Sequence, residues 1–302
     1  MVTGGAGFVG SHVADAFLAD GAALLVIDDL SAGREENVPP AAELRRIDIL
    51  DGQQLGEAVE GFDPDVVCHL AAQASVTVSV ERPEYDLDVN VRGTLNVCEA
   101  ARAAGAPVVF ASTGGAIYGN NAPLPTPESF PPEPLAPYGA SKVAGEAYVA
   151  TWGRLHGLPN VVLRLGNVYG PRQQPHGEAG VVAIFSDRLA RGKQVVVYGS
   201  GEPTRDYVHV GDVARAFVIA AAAERSGTFN VGTARETSVL ELLEILQREA
   251  GTDVKPELKP LRPGELERSA LDPAAIGSEL GWHAEIAVEQ GLPQTFRAFA
   301  PA

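Results

Sequence analysis

Short apolar runs alternate with amphipathic stretches through the first half of the chain. Leu24-Leu-Val-Ile-Asp28 is an apolar run closed by an acid, and it follows a helical pattern from Gly10 to Ala19. Leu44–Asp48 reads as the next strand and Gln53–Val59 as the next helix. Asp65–Leu70 is a strand entered through a turn containing Gly61. Tyr85–Ala104 is long and helical, Pro107–Ala111 is a short buried strand, and Val161–Leu165 is a sixth strand. Runs of this length bounded by turn residues mark strands, while a 3.6-residue period marks helices. Their strict alternation predicts parallel β-α-β units, hence an α/β fold with a doubly wound parallel sheet.

The rhythm then changes. Residues 119–137 are proline-rich and aperiodic, predicting an irregular loop ahead of a helix that begins near Tyr138. Beyond residue 167 come Gly- and Pro-rich loops, a short strand at Val195–Tyr198, and helices near 239–249 and 273–280. This reads as a smaller mixed α/β domain. Asp212–Ala223 and Phe229–Val231 return to the large sheet, so the two units interleave: 1–167 plus 211–236, and 168–210 plus 237–302. Only Met1-Val2-Thr3 precede the first glycine, fewer than the five or six residues of a usual strand, which anticipates native residues ahead of Met1.

Composition narrows the partners. A net charge of −16 over 302 residues argues against nucleic acid and against anionic membrane surfaces, both of which attract a basic footprint. The longest apolar stretch, Ala216–Ala223, is too short to span a bilayer. Cys68 and Cys98 lie in apolar segments and read as buried free thiols, which points to a reducing, cytoplasmic setting. The six histidines show no ligand spacing, so no metal is expected.

The chemistry begins at Gly4-x-x-Gly7-x-x-Gly10, which follows a strand stub and opens a helix. Such glycines allow a tight turn and close backbone approach to a pyrophosphate, held at the helix N-terminus, as in a Rossmann-type dinucleotide site. Asp28 ends the next strand, where a carboxylate accepts hydrogen bonds from the adenosine ribose and repels a 2′-phosphate. NAD is therefore expected over NADP, with Arg34 the counter-indication and a solvated Asp28-Asp29 turn the plain alternative. Downstream, Tyr138 and Lys142 stand one helical turn apart on one face, after Ser112-Thr113. An ammonium there favours phenolate over phenol, which predicts a tyrosine base working near neutral pH. His69 and His209 lie in apolar runs and read as satisfied core histidines.

With these residues in place the chain resembles the extended short-chain dehydrogenase/reductase family, and within it the UDP-glucose 4-epimerases, from Gly4 to about Trp282. The resemblance implies that Gly4, Gly7, Phe8 and Val9 form the cofactor loop, with Asp28, Asp29, Leu30, Ser31 and Gly33 as the adenosine turn. Asp48 and Ile49 would meet the adenine. Leu70, Ala71 and Ala72 would lie beside the phosphates, and Asn90 would support the central strands. Thr113, Tyr138 and Lys142 match the catalytic positions, Tyr138 and Lys142 also touching cofactor. Arg164-Leu-Gly-Asn167 resembles the segment whose Asn meets the sugar diphosphate. Val181, Val197 and Tyr198 would line the uridine, Arg205 would bind the diphosphate, and Arg262 with Glu265 would close over the nucleotide. Ser269 falls where the family lines its hexose pocket.

The resemblance implies NAD-dependent epimerisation of a UDP-hexose at C4 through a 4-keto sugar, in a homodimer built on the helices Tyr85–Ala104 and Tyr138–His156. Leu95, Val97 and Cys98 on the first, and Val143, Ala147 and Ala150 on the second, are the expected interface residues. The related 4,6-dehydratases carry an Asp-Glu pair after the catalytic Thr; here Gly114-Gly115-Ala116 follow it, which disfavours elimination. The alternatives are a related reaction on a UDP-N-acetylhexosamine or UDP-uronate, and a non-catalytic NAD-binding regulator.

Overall fold

The computed structural model describes residues 1–175, 180–260 and 266–300. In chain order the elements are β1 (Val2–Thr3), α1 (Phe8–Ala19), β2 (Leu25–Asp28), β3 (Glu43–Arg46), α2 (Gly52–Phe62), β4 (Val67–His69), α3 (Val76–Glu81) and α4 (Pro83–Leu87). A π-helical turn, Asp88–Arg92, joins α4 to α5 (Gly93–Ala103); then come β5 (Val108–Thr113), α6 (Pro137–His156), β6 (Val161–Leu165), β7 (Asn167–Tyr169), α7 (Val181–Ala190), β8 (Val196–Tyr198), β9 (Thr204–Arg205) and β10 (Tyr207–His209). The remainder is α8 (Val210–Ala221), β11 (Gly227–Val231), β12 (Thr237–Ser238), α9 (Val239–Ala250), β13 (Glu257–Lys259), α10 (Ala274–Leu280) and α11 (Val288–Phe299).

Seven parallel strands form the central sheet in the order β11-β6-β5-β4-β1-β2-β3. The order reverses at β1/β4, the position at which doubly wound sheets open a crevice beyond their strand ends. Apolar clusters cover both faces. Val26, Val109, Leu163 and Phe217 belong to the side covered by α1 and α8. Leu25, Leu55, Phe110 and Val162 belong to the side of α2, α5 and α6. Central strand β2 is fully buried, whereas edge strand β3 carries a Glu43–Arg45 ion pair, a charged edge that discourages further pairing.

A separate apolar cluster gathers Phe185, Val197, Tyr207, Leu242 and Phe296 from α7, β8, β10, α9 and α11. Short two-stranded pairs serve this region: β10 with β7, β12 with β9, and β13 with β8. The α9 start is set by a capping box, in which Ser238 Oγ accepts from the Glu241 N–H and the Glu241 carboxylate accepts from the Ser238 N–H. No described helix is long and apolar enough to cross a membrane.

The expected Tyr85–Ala104 helix is present but interrupted by its π turn. Two of the six expected interface residues need correction: Val97 and Cys98 are buried in the core, so they cannot face a partner. Ala147 is exposed, and Leu95, Val143 and Ala150 are half-buried. Exposed apolar side chains nearby include Val76, Val80 and Leu87, with Tyr148 and Leu155 on α6. Both cysteines are free and buried, and burial pushes each thiol up to about 12.

Candidate active site

The candidate residues sit where the parallel strands end. Thr113 closes β5, Asp28 closes β2, and the Gly4 and Leu70 loops follow β1 and β4. Parallel strands all point the same way, so residues far apart in sequence meet along one edge.

Pro137 at the first turn starts α6, fixing φ where no helical N–H bond is lost, and the Gly157 left-handed cap ends it. Tyr138, Lys142 and Glu146 recur every four residues on one face of this helix. Tyr138 is half-buried and shares a hydrogen bond with the Thr113 hydroxyl. Lys142 is 4% exposed, and its ammonium lies 4.5 Å from the centre of the Phe110 ring. Glu146 beneath them pairs with Arg164 at 2.7 Å and accepts the Ser112 hydroxyl at 2.5 Å.

The electrostatics of the pair differ from expectation. In the protein alone the Tyr138 phenol is pushed up to about 12, chiefly by burial and then by the Asp86 carboxylate, with the Thr113 bond acting the other way. Burial also lowers Lys142 to about 8, against the pull of Glu146 and Asp86. Proximity to Lys142 therefore does not by itself bring the phenol near neutrality. Burial penalises both charged forms and outweighs the i,i+4 placement.

Below β2 and β4 a cavity of about 140 Å³ is lined by Gly4, Gly7, Asp28, Asp29, Ser31, Gly33, Asp48, Ile49, Leu70, Ala71 and Ala72. A Cβ on Gly4, at φ +71°, would stand 2.6 Å from the Ala71 nitrogen, and one on Gly10 would stand 2.1 Å from the Gly4 oxygen. Only glycine permits so close a turn. Phe8 and Val9 open α1, whose first turn holds no acid and whose N-cap makes no side-chain bond, leaving N–H groups for an anion. Asp28 accepts from the Ala6 and Leu30 N–H groups, both at 2.9 Å, and burial raises its carboxyl. Arg34 is paired with exposed Glu36. Loop, carboxylate and uncapped helix end fit an NAD molecule.

Asn90 stands behind this cavity, 1% exposed. Its side-chain amide bridges the Gln73 backbone, Asp86 and Ser141, a strut and not a contact surface. His69 is a satisfied core histidine, bonded to Thr3 and Thr94 hydroxyls at 2.8 and 3.0 Å and lowered by burial to about 3. His209 is not: its Nδ1 accepts from Gly211, but its buried Nε2 has no hydrogen-bond partner among the described residues.

A second cavity, about 660 Å³, brings together Asn167, Val181, Val197, Tyr198 and Arg205. The Asn167 Oδ1 atom is buried without a hydrogen-bond partner among the described residues, as an acceptor kept for a ligand would be. Arg205 donates to the Thr204 carbonyl and forms no ion pair among the described residues. A third cavity, about 620 Å³, is lined by Ser269 and by Gly114 and Gly115, the residues that follow Thr113. Arg262 and Glu265 lie outside the described residues.

Sequence reading missed Gln73, Tyr85 and Val89 in the first cavity, Phe185, Lys193, Tyr207 and Lys259 in the second, and Tyr118, Asn120, Glu267 and Arg268 in the third. The two lysines carried a signal, since cations are scarce in so acidic a chain. Gln73, Tyr118, Asn120, Glu267 and Arg268 come from loops without periodicity, while Tyr85, Val89, Phe185 and Tyr207 lie on helices and a strand whose pattern reports packing and not ligand contact.

A model of the NAD dependent epimerase/dehydratase family matches residues 1–232. A UDP-glucose 4-epimerase of Mycolicibacterium smegmatis is 46% identical over 99% of this chain and 97% of its own length. The structure of a UDP-glucose 4-epimerase of Thermotoga maritima with UDP-glucose superposes with a TM-score of 0.96 at 44% identity, covering 99% of this chain and 97% of that one. The structure of a Thermus thermophilus UDP-glucose 4-epimerase with NAD gives 0.92 at 46% identity, covering 99% and 97%.

Proposed function

The chain belongs to the NAD-dependent epimerase/dehydratase family, and we propose that it interconverts a UDP-hexose at C4, UDP-galactose with UDP-glucose, through a transient 4-keto sugar on bound NAD. The observation that carries this reading is Tyr138, hydrogen-bonded to Thr113 and backed by buried Lys142, beside a cavity that opens at Gly114 and Gly115.

Bound NAD supplies the reversible hydride acceptor at C4, and its pyridinium charge favours the phenolate. Tyr138, once ionised, removes the proton of the sugar 4-hydroxyl, while Thr113 shares that hydrogen bond. Lys142 would hold the nicotinamide ribose and balance the phenolate charge. The keto sugar must turn over before it is reduced on its other face, so the nucleotide has to be held firmly and the hexose loosely. Asn167 and Arg205 grip the diphosphate, while Val181, Val197 and Tyr198 hold the uridine. The Gly114-Gly115-Ala116 run offers no carboxylate for elimination.

Ser269 favours a second substrate. Its small side chain beside Gly114 and Gly115 leaves room for a 2-acetamido group, which supports activity on UDP-N-acetylhexosamines. The free cysteines support a reducing, cytoplasmic setting, and exposed Val80, Leu87, Tyr148 and Leu155 support a homodimer. Incubation with UDP-galactose, UDP-N-acetylglucosamine and UDP-glucuronate, followed by chromatography of the products, tests the assignment. C4 epimers of the first two are expected, and inertness toward all three would refute it.

A further inference from the structure

Asp86 is 1% exposed, yet it has no Lys or Arg within ion-pair distance among the described residues. Its Oδ1 accepts from the Gln73 side-chain amide at 2.7 Å and from that of Asn90 at 3.1 Å, both neutral donors. A buried carboxylate held only by neutral groups is costly unless a cation lies close enough to repay the lost hydration. Lys142 is the buried cation whose field it shares.

The same cluster reaches the backbone that carries Tyr138. Asn90 sits in the π turn, which brings its amide onto Asp86, the Gln73 carbonyl and Ser141 Oγ at once. Ser141 in turn donates to the Tyr138 carbonyl at 3.0 Å, and Gln73 lines the cofactor cavity.

We propose that Asp86 is a positioning residue for the reaction assigned above: its buried charge joins that of Glu146 in favouring the Lys142 ammonium, and through Gln73 and Asn90, which reaches Ser141, it fixes the helical turn that presents Tyr138. The proposal rests on that functional reading.

Among the other charged groups around this cluster, Glu146 on α6 also favours the Lys142 ammonium, more strongly than Asp86 does, while it is bound to Arg164 and Ser112. His69, from β4, is held neutral between two threonines. Arg82, itself exposed, lies over the half-buried Tyr85 ring, Glu81 and Glu84 are exposed, and Asp88 is paired with Arg92 at the surface.

The sign of the effect follows. Asp86 opposes ionisation of Tyr138 and favours protonation of Lys142, so it raises both groups. Asp86→Asn keeps an acceptor for Gln73 and Asn90 while removing the charge. Both limbs of the pH–kcat profile are then expected to move to lower pH, by about one unit each for a charge at this range in a buried setting. Asp86→Glu, which keeps the charge, should return both limbs toward their wild-type positions.

Ultraviolet titration of the phenolate, with Tyr138→Phe subtracted, reads the same displacement without turnover. Should Asp86→Asn not fold, Asp86→Thr keeps a hydroxyl acceptor without charge and is expected to shift the limbs alike. A lower kcat with both limbs and the phenolate titration unmoved would overturn the proposal, leaving Asp86 a structural strut. A wild-type enzyme that turns over none of the UDP-sugars would instead overturn the functional reading, while the phenolate titration would still decide the role of Asp86.

Discussion

On the proposed reading, Tyr138 acts as a base from a position that, in the protein alone, favours the phenol. The groups that change this are the Thr113 hydroxyl, Lys142 and the cofactor charge, none of which binds much substrate by itself. Tyr138→Phe is accordingly expected to lower kcat by about 10²–10⁴-fold or more, while NAD and UDP-sugar still bind. Turnover assays beside calorimetric titration of UDP-galactose check this, and a variant keeping a tenth of wild-type activity would mean that another group is the base. Ser269 is proposed to set a different property at the same scale. Ser269→Tyr should fill the space beside Gly114 and reduce kcat/KM for UDP-N-acetylglucosamine by at least about tenfold, sparing UDP-galactose. If both activities fell together, Ser269 would not govern the size of the pocket.

Among elements, α4, α5 and α6 carry the surface proposed for assembly. Their inner stripes are core, as Val97, Cys98 and Val149 show. Leu87 and Tyr148 are left on the outer face, together with Leu155, which is 67% exposed. Apolar side chains lined up on adjoining helices mark an association surface. A homodimer by light scattering at micromolar concentration is expected, and Leu87→Glu combined with Leu155→Glu should yield monomers. A wild-type monomer would contradict it.

Helices α5 and α6 also show where the sequence was legible. Amphipathic periodicity located both of them, and the strand ends followed from the apolar runs, so Thr113, Asp28 and the Gly4 loop could be read in advance. Which stripe faced inward could not, because both faces of each helix are partly apolar and only packing on β4 and β5 decides between them. The π turn at Asp88–Arg92 left no mark in the periodicity, yet it aims Asn90 at Asp86. The rise in the Tyr138 phenol was hidden too, since spacing reports that Lys142 is near but not how dry the site is.

At the scale of the molecule, the proposed function places the cofactor at the strand ends of the seven-stranded sheet and the nucleotide in the cavity beside the smaller cluster around Phe185 and Leu242. This arrangement has one purpose in the account: the hydrogen removed from C4 must return to the same sugar. A site that released the oxidised sugar, or let C4 exchange with water, would be doing different chemistry. The most direct test uses UDP-galactose deuterated at C4, incubated with the protein in ordinary water and followed by mass spectrometry. The account predicts UDP-glucose with its deuterium fully retained at C4. Product in which that deuterium has been replaced by solvent hydrogen, or no UDP-glucose at all, would contradict it.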